Sequence, residues 1–316
     1  MSMKEMSGVY AAVLTPRLKD NTIDIASLDK LIRFLLSKSI ASFALNGATG
    51  EYCLSTPADL RTLLRTVQEA SEGKAEILCG IGAPGIAGAI EFAALAQAAG
   101  VRGLLLPPPD FFPYQQEDVD LFCRTVASTT DLPILLYNLP QFTSPLMKET
   151  VRCLVTDVPN IVGIKDSSGS LDILRDLTGY NVRACRIVGN DGVLAQAMAE
   201  GVCDGVVSGV ACALPELISG IYQQSGRTET SRFRQSSNLL DELLTRLDDF
   251  PTPWGLKWIL EARGIIPATF AQPITKSRIL QSERMISWFH TWFETACSKG
   301  KITLSPRELQ IRLAGC

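Results

Sequence analysis

The chain contains a short apolar run that ends in a lysine, Ile161-Val162-Gly163-Ile164-Lys165, and Asp166-Ser167-Ser168-Gly169 follows at once. A run of this length and composition predicts a buried strand with Lys165 at its C-terminal end. In an α/β barrel the chemistry takes place at that end of the strands. Apolar neighbours disfavour the charged form of an ammonium, and the neutral amine can attack a carbonyl to form a Schiff base. A lysine that only extends from a strand end to solvent is the alternative interpretation.

A second apolar run carries a tyrosine at the matching position. It spans residues 132–139, with Tyr137 near its exit, and Pro140 stops it. Helical sequence over residues 145–154 separates the two runs, so we predict consecutive parallel strands with Tyr137 and Lys165 side by side. A phenol beside an imine-forming lysine can shuttle protons. A tyrosine that closes a strand for packing alone would leave the same pattern.

Length and composition favour a single enzyme-sized unit without charged macromolecular partners. The 316 residues are 46% hydrophobic and 20% charged, which suffices for a large core. The formal charge of -3 and a pI near 5.4 indicate no basic surface for nucleic acid. No apolar run approaches the roughly 18 residues of a membrane span, and the run over residues 9–14 is too short for a signal peptide. We therefore expect a cytoplasmic protein without membrane contact.

The cysteines and the single histidine predict neither a metal site nor a disulfide framework. Nine cysteines are scattered without a C-x-x-C pair, and His290 is the only histidine. Structural zinc needs clustered ligands, and disulfides are atypical of a long cytosolic chain. His290 falls in an aromatic stretch of a predicted C-terminal helix, where we interpret it as a packing residue.

Eight short apolar runs alternate with helical patterns along the first two thirds of the chain. The predicted strands are residues 9–14, 42–46, 76–80, 103–106, 133–137, 161–165, 185–189 and 205–208. The predicted helices between them are residues 27–37, 57–71, 87–99, 116–128, 145–154, 170–178 and 192–199. After Pro215 only helical patterns follow, over residues 217–222, 231–248, 254–262 and 277–298. This order predicts an α/β fold, a (β/α)8 TIM barrel over residues 1–224 with an all-helical C-terminal extension, residues 225–316, packed on it.

Two glycine-rich loops follow predicted strands. Residues 80–85 match G-x-G-x-x-G, but no acidic residue stands near the spacing that a dinucleotide site requires, so we interpret this loop as a tight turn of the barrel. In the other loop, residues 46–51, the glycines allow backbone amides to converge on an anion, and the Thr49 hydroxyl adds a donor. This second loop predicts a carboxylate clamp near Lys165.

Four motifs together resemble those of a known family: Leu14-Thr15-Pro16, Gly47-Ala48-Thr49-Gly50-Glu51, Tyr137-Asn138-Leu139-Pro140 and Gly163-Ile164-Lys165-Asp166. In their order and spacing the chain is similar to the dihydrodipicolinate synthase and N-acetylneuraminate lyase superfamily of class I aldolases, from about residue 9 to about residue 273. The resemblance implies a barrel with C-terminal helices that assembles as a homotetramer or homodimer. It also implies an imine between Lys165 and a 2-oxo acid, commonly pyruvate, without a metal or an organic cofactor.

Position by position, the resemblance implies a role for each matching residue. Lys165 matches the Schiff-base lysine, and Tyr137 matches the general acid and base. Thr49, with the backbone amides of Ala48 and Thr49, matches the clamp for the carboxylate of the 2-oxo acid. The positions expected to line the substrate pocket are Gly189, Asn190, Asp191, Val207 and Ser208, of which Asn190, Asp191 and Ser208 fall where sugar-acid members contact substrate hydroxyls. Asp191 has an alternative interpretation as the cap of a helix that begins at Gly192.

Three departures from the synthase pattern concern the choice of substrate. The first threonine of the synthase motif, which takes part in a proton relay, is Ala48 here. The relay tyrosine expected near Phe111 has no phenol in register, and Tyr114 is the candidate substitute. Phe142 replaces an arginine that holds the aldehyde substrate's carboxylate in synthases, which removes bidentate recognition. We therefore expect Phe111 and Phe142 to line a distal pocket that is less cationic than that of the synthases.

These features lead to one preferred function and three alternatives. We expect a carbon-carbon lyase, a class I aldolase that cleaves or forms a 4-hydroxy-2-oxo acid or a 2-keto-3-deoxy sugar acid through an imine of Lys165 with pyruvate. The same imine supports a carbon-oxygen lyase that dehydrates a sugar acid, and Phe142 disfavours dihydrodipicolinate synthesis. Loss of the relay at Ala48 and near Phe111 also permits a non-catalytic homologue that binds a 2-oxo acid, although a pure binder has no need of a buried amine, which is costly.

Overall fold

The structure is a computed structural model, and it describes residues 6–298. Eight parallel strands pair in chain order, and the first pairs with the last, so the sheet is a closed barrel. The strands are β1 Gly8–Ala12, β2 Ser42–Leu45, β3 Glu76–Gly80, β4 Gly103–Leu106, β5 Ile134–Asn138, β6 Ile161–Asp166, β7 Cys185–Val188 and β8 Gly205–Ser208. The (β/α)8 prediction is confirmed.

Helices follow the strands and then continue into the extension. Those between strands are α1 Ile25–Ser37, α2 Pro57–Ala70, α3 Ile86–Ala98, α4 Gln116–Ala127, α5 Lys148–Asp157, α6 Asp172–Gly179 and α7 Leu194–Glu200. After β8 come α8 Val210–Ala213, α9 Pro215–Tyr222, α10 Ser231–Leu247, α11 Trp254–Ala262 and α12 Lys276–Ser298. The division of the chain between residues 224 and 225 stays a prediction.

Predicted and observed elements differ mainly at two helices. α5 begins at Lys148, three residues later than predicted, because Leu146 donates its backbone N–H to the side-chain oxygen of Asn138 at 3.0 Å and is held outside the helix. The four-residue α8 is absent from the predicted elements because it is too short to show a helical period. All eight strands end within two residues of their predicted bounds.

The loop over residues 80–85 is a close-packed turn between β3 and α3. A Cβ on Gly80 would lie 2.0 Å from the carbonyl oxygen of Asn46, and a Cβ on Gly82 would lie 2.6 Å from the ring of Tyr52. Only glycine fits at both positions because neighbouring loops press against the backbone. The motif thus serves the packing of the barrel rim, in agreement with its interpretation as a barrel turn.

Two apolar layers lie on the two faces of the sheet, because successive strand residues point to opposite faces. The barrel interior holds side chains such as Tyr10, Leu135 and Val207. The layer between the strands and the helices is larger, and it continues into the extension through Leu260 and Phe289. The extension therefore shares the core of the barrel's outer layer.

The described part of the chain contains neither a membrane-spanning helix nor a cluster of metal ligands. Over residues 6–298, no helix is long and apolar enough to cross a membrane, and no group of three or more His, Cys, Asp or Glu could hold a metal ion. Six cysteines of this range, Cys53, Cys79, Cys123, Cys153, Cys203 and Cys212, are free thiols, and Cys316 lies outside it. His290 is exposed on α12, so its interpretation as a packing residue is wrong.

A buried ionic cluster ties α11 to the barrel. Glu216 on α9 accepts from Arg263, at the end of α11, at 2.8 Å, and it also contacts Lys38, after α1, at 2.9 Å. All three side chains are at most 8% exposed. Arg263 also donates to the carbonyl oxygen of Ala213 at 2.6 Å. Because charges removed from water are stable only when paired, this cluster fixes how α11 sits on the barrel.

We expect Glu216→Ala to lower the free energy of unfolding by about 3 kcal/mol, because it leaves two buried cations without their shared carboxylate. Urea titration followed by circular dichroism measures the change. Glu229→Ala, at an exposed position, is the control and should change the value by about 0.5 kcal/mol or less. Equal effects of the two substitutions would contradict the structural role of the cluster.

Candidate active site

Lys165 and Tyr137 lie side by side inside the C-terminal end of the barrel. The register of β5 and β6 pairs Tyr137 with Lys165. Each residue is only 3% exposed. The Nζ of Lys165 lies 3.8 Å from the centroid of the Tyr137 ring, which is close enough for a cation-π contact. The structure therefore brings together the two residues that the sequence predicts as neighbours.

An extra residue in β6 turns Lys165 into the barrel. Ile134 on β5 pairs with Ile161, but the next residue, Leu135, pairs with Gly163, so Val162 is left over as a bulge. The bulge shifts by one residue the alternation of side chains between the two faces of the sheet. Ile164 therefore lies in the outer layer, and Lys165, the next residue, faces the barrel interior. A Cβ on Gly163 would lie 2.1 Å from the carbonyl oxygen of Cys185 on β7, so glycine is needed at the bulge.

A buried polar pair holds the ends of β5 and β6 together just outside the barrel. Asn138 donates from its side chain to Asp166 Oδ1 at 3.0 Å, and the backbone N–H of Ser168 donates to the same oxygen at 2.9 Å. Burial raises the pKa of the Asp166 carboxyl. Asn138 directly follows Tyr137, and Asp166 directly follows Lys165. Their hydrogen bond therefore fixes the positions of Tyr137 and Lys165 relative to each other along the barrel axis.

Gly189 and Val207 form walls next to the lysine. A Cβ on Gly189 would lie 2.9 Å from Cε of Lys165 and 2.2 Å from Oγ of Ser167, so the absence of a side chain leaves room for the amine. Val207 is fully buried in the barrel interior, in the same apolar cluster as Tyr137, and Ala48 packs against that cluster.

The predicted carboxylate clamp is a loop with left-handed residues at both ends. Asn46 has φ of 54° and Glu51 has φ of 55°. Asn46 donates from its side chain to the carbonyl oxygen of Gly80 at 2.8 Å. Within residues 6–298, the backbone amides of Ala48 and Thr49 donate to no protein group. Two adjacent amides without acceptors are suited to bind an anion.

The C-terminal extension reaches this loop through a second buried ion pair. Lys257 on α11 donates to Glu51 Oε2 at 2.5 Å, with side chains 6% and 14% exposed. Leu256 of α11 and Thr49 of the clamp loop both lie beside Gly209. A Cβ added to Gly209 would be 3.3 Å from the Leu256 side chain and 3.4 Å from the Thr49 hydroxyl. α11 therefore supports the clamp, although more than 200 residues of sequence separate Lys257 from Glu51.

Asp191 is half-buried near Lys165, and its Oδ1 is fully buried. Its Oδ2 accepts from the backbone N–H of Val210 at 3.2 Å, and its buried Oδ1 has no partner within the described residues. Burial raises the pKa of Asp191, while hydrogen bonds from Ser208 and Val210 and the charge of Lys165 act in the opposite direction. Ser208 is fully buried, and its Oγ also accepts from the backbone N–H of Ala211 at 2.9 Å.

The alternative interpretation of Asp191 as a helix cap is wrong. The side chain of Asn190, not that of Asp191, accepts from the backbone N–H of Gly192, at 2.9 Å, and caps the short 3-10 turn over Asp191–Val193. Asn190 is thereby committed to a local hydrogen bond. The carboxylate of Asp191 instead faces the end of β8, where Val210 donates to it. It is therefore not occupied by capping the turn.

The two phenylalanines of the expected distal pocket lie at the rim and are largely open to solvent. Phe142 is 57% exposed and Phe111 is 86% exposed, with φ of 80°. An isolated bridge between Asp110 and Thr143 brings their two loops together. Tyr114 packs against the outer apolar layer rather than the barrel interior. The role of Phe111 and Phe142 in substrate binding stays a prediction.

A residue that the sequence analysis missed, Tyr52, lies in the barrel mouth. It follows the clamp loop directly, is 7% exposed and belongs to the same interior cluster as Tyr137. Its phenol donates to Asp110 Oδ1 at 2.6 Å. In the sequence, Tyr52 shows only as an aromatic residue directly after the glycine-rich loop. This position does not predict that its ring packs inside the barrel mouth.

The fold is a (β/α)8 barrel that places Lys165 and Tyr137 side by side at its C-terminal end. The Dihydrodipicolinate synthetase family matches residues 5–285, and the chain belongs to this family. Members of the family are lyases that form a Schiff base, so the chain is an enzyme of that class.

Individual relatives and solved structures agree with this assignment. The 4-hydroxy-tetrahydrodipicolinate synthase of Dehalococcoides mccartyi is 31% identical over 288 residues, which cover 89% of this chain and 96% of the relative. A crystal structure of dihydrodipicolinate synthase from Acinetobacter baumannii complexed with pyruvate is 25% identical, with a TM-score of 0.82, and the match covers 89% of this chain and 98% of the other. N-acetylneuraminate lyase from Mycoplasma synoviae, at 19% identity and a TM-score of 0.79 over 91% of this chain and 99% of the other, shares the fold.

We expect Asp191→Asn to raise the melting temperature by about 2 °C at pH 7 to 8. The pKa of Asp191 is raised in the folded state, so ionisation opposes folding above that pKa, and a neutral amide removes this penalty. The gain should shrink as the pH falls towards the unfolded-state value of about 3.9. Differential scanning fluorimetry from pH 5 to pH 8 measures it.

Asp131→Asn is the control, because Asp131 is an exposed carboxylate. It should leave the melting temperature unchanged at every pH. The contradicting outcome is a lower melting temperature of Asp191→Asn than of the unmodified protein at pH 8. It would mean that the charge of Asp191 stabilises the fold, although burial predicts the opposite.

Proposed function

We propose that the chain is a class I aldolase that cleaves or forms a 4-hydroxy-2-oxo acid or a 2-keto-3-deoxy sugar acid, with pyruvate held as an imine on Lys165. The observation that carries this proposal is the buried pair of Lys165 and Tyr137, whose Nζ and ring centroid are 3.8 Å apart. The amides of Ala48 and Thr49, with the Thr49 hydroxyl, supply donors for the substrate carboxylate. The imine requires neither a metal nor an organic cofactor.

In the cleavage direction the amine of Lys165 attacks C2 of the substrate, and the carbinolamine hydroxyl leaves as water with a proton from Tyr137. The protonated imine then serves as the electron sink. Tyr137, now a phenolate, takes the proton of the C4 hydroxyl while the electrons of the C3–C4 bond move into the enamine. An aldehyde is released, and protonation at C3 followed by hydrolysis returns pyruvate and the free amine.

Polar groups on β8 and in the loop after β7 support a hydroxylated substrate. The buried Oδ1 of Asp191 has no partner within the described residues, so it can accept from a substrate hydroxyl. Ser208 lies close enough to lower the pKa of the Asp191 carboxyl. A sugar acid offers the hydroxyls that such groups recognise, whereas a short unsubstituted aldehyde does not.

Dihydrodipicolinate synthesis is the second candidate, because the relatives named above are synthases of that type. Phe142 counts against it, since an exposed apolar ring cannot replace an arginine that binds a carboxylate. A dehydratase would use the same imine, lose a proton from C3 and expel a hydroxyl. A binder of 2-oxo acids without turnover would need none of the acid-base groups.

Borohydride reduction in the presence of pyruvate should attach a pyruvate-sized adduct to Lys165, because the reductant converts an imine into a stable secondary amine. Intact mass spectrometry and peptide mapping measure the adduct. Lys257 is a matched internal control, since it is also buried but is paired with Glu51, and it should stay unmodified.

Lys165→Ala should abolish trapping. An adduct at Lys257, or trapping that persists in Lys165→Ala, would contradict the assignment of Lys165. No adduct with pyruvate or with other 2-oxo acids would favour the binding-only alternative. Assays with sugar acids then distinguish the two lyase reactions, because cleavage releases pyruvate and dehydration does not.

Phe142→Arg should improve the use of aldehydes that carry a distal carboxylate. A charge-assisted contact of about 1.5 kcal/mol corresponds to roughly a tenfold rise in kcat/KM relative to uncharged aldehydes. Met147→Arg is the control, because it adds the same charge at another exposed apolar residue in the connection between β5 and α5. If the two variants raise the ratio equally, the effect is general attraction and Phe142 does not face the substrate.

The family resemblance also leads us to propose a homotetramer or homodimer in the cytoplasm. Phe111 and Phe112 support self-association, because they expose 86% and 61% of their surface and pack edge to face at 4.8 Å. Exposed apolar patches of this kind commonly mark protein contacts.

A further inference from the structure

A cavity of about 260 Å³ lies at the end of the barrel opposite to Lys165. Residues that lead into strands line it, among them Arg102 before β4, Pro133 before β5 and Asp204 before β8. The first residues of the parallel strands share one end of the barrel, and Lys165 lies at the other end. The apolar side chains of the barrel interior stand between them. The cavity is therefore separate from the candidate active site.

Positive charge exceeds negative charge in the lining of this cavity. The charged residues that line it are Arg102, Arg183, Arg186 and Asp204. Glu76, outside the lining, offsets part of the surplus, because its Oε1 lies 3.5 Å from Nε of Arg102. The chain as a whole carries a formal charge of -3, so the positive surplus is a local feature. Because clefts lined by one sign of charge concentrate ligands of the opposite sign, the lining favours an anion.

Arg186 is held in place and retains unused donors. Its Nε and one terminal nitrogen donate to the two carboxylate oxygens of Asp204 at 3.0 and 2.7 Å, and its other terminal nitrogen donates to Thr178 Oγ1 at 2.7 Å. A guanidinium has five N–H groups, so two of them have no acceptor within residues 6–298. An arginine that is already fixed loses little conformational freedom when it binds a ligand.

Arg183 lies at the opening of the cavity, in the connection between α6 and β7. Its side chain is exposed, and so is that of Asn181, which also lines the cavity. Within residues 6–298, Arg183 forms neither an ion pair nor a hydrogen bond. It differs in this from Arg186, whose contacts connect β7 to the segment before β8. Arg183 thus adds no polar contact to the fold, and its charge is available to a ligand that enters from solvent.

The size of the cavity and its apolar wall limit the kind of anion. Val162, Leu177 and Val182 contribute to this wall. A water molecule occupies about 30 Å³ in the liquid, so the cavity has the volume of about nine water molecules, or of an organic molecule with on the order of ten non-hydrogen atoms. A phosphate monoester carries about 1.5 to 2 negative charges at pH 7 and three acceptor oxygens, which suit arginine donors. A phosphate on a small apolar body matches both parts of the lining.

We propose that this cavity is a binding site for a small organic phosphate. The phosphate binds Arg183 and the two unused N–H groups of Arg186, and its apolar body packs against Val162 and Val182. Val162 is the bulge residue of β6, so the ligand contacts the strand that carries Lys165 without contacting the lysine. The site is independent of the proposed Schiff-base function.

Isothermal titration calorimetry of the full-length protein with phenyl phosphate tests the site, because this probe joins a charged phosphate to an apolar ring. Three further probes each lack one feature: benzyl alcohol has no charge, inorganic phosphate has no ring, and benzoate carries a single negative charge. We expect one phenyl phosphate to bind per chain, and each of the other probes to bind at least about tenfold more weakly. Benzoate that binds as tightly as phenyl phosphate would contradict the assignment of a phosphate.

Substitution of Arg183 tests where the probe binds. Arg183→Gln should weaken the binding of phenyl phosphate by about tenfold, because it removes a charge-assisted contact. Arg183→Lys keeps the charge but not the planar fork, and it should weaken binding by only about threefold. Arg61→Gln makes the same change at an exposed arginine of α2 and should bind like the unmodified protein. Equal affinities of Arg183→Gln and the unmodified protein would overturn the site.

Pyruvate distinguishes this site from the carboxylate clamp. Saturating pyruvate should leave the affinity for phenyl phosphate unchanged, because the clamp lies at the other end of the barrel. Competition would place the probe at the clamp and overturn the cavity site. Borohydride trapping on Lys165 should be the same in Arg183→Gln as in the unmodified protein. Absence of calorimetric binding with intact trapping would overturn the cavity site alone, and absence of trapping with intact calorimetric binding would overturn the proposed function alone.

Discussion

The pairing of β5 with β6 is the constraint on which the rest of the site depends. Parallel strands align residue by residue, and here the alignment sets Tyr137 opposite Lys165. The bulge at Val162 decides that Lys165 faces inward, because a shift of one residue moves a strand side chain to the other face of the sheet. Gly163 permits the bulge, and the buried pair of Asn138 and Asp166 closes the strand ends above it.

The polar groups around the lysine are held by contacts that lie outside the barrel strands. The clamp loop is supported by Lys257 from α11, and α11 is in turn fixed to the barrel through the cluster of Arg263 and Glu216. A buried ion pair contributes little net stability, but separating its partners is costly, so the two groups stay together. The extension therefore acts on the site through geometry: it holds the left-handed turn at Glu51, and with it the two open amides.

The sequence was sufficient for features that depend on local periodicity and on the alignment of neighbouring strands. The strand ends and the adjacency of Tyr137 and Lys165 follow from apolar runs and one intervening helix. The bulge could not be predicted, because it appears only in the register between two strands. Tyr52 with Asp110, and Lys257 with Glu51, are separated by 58 and 206 residues, so no local pattern marks them.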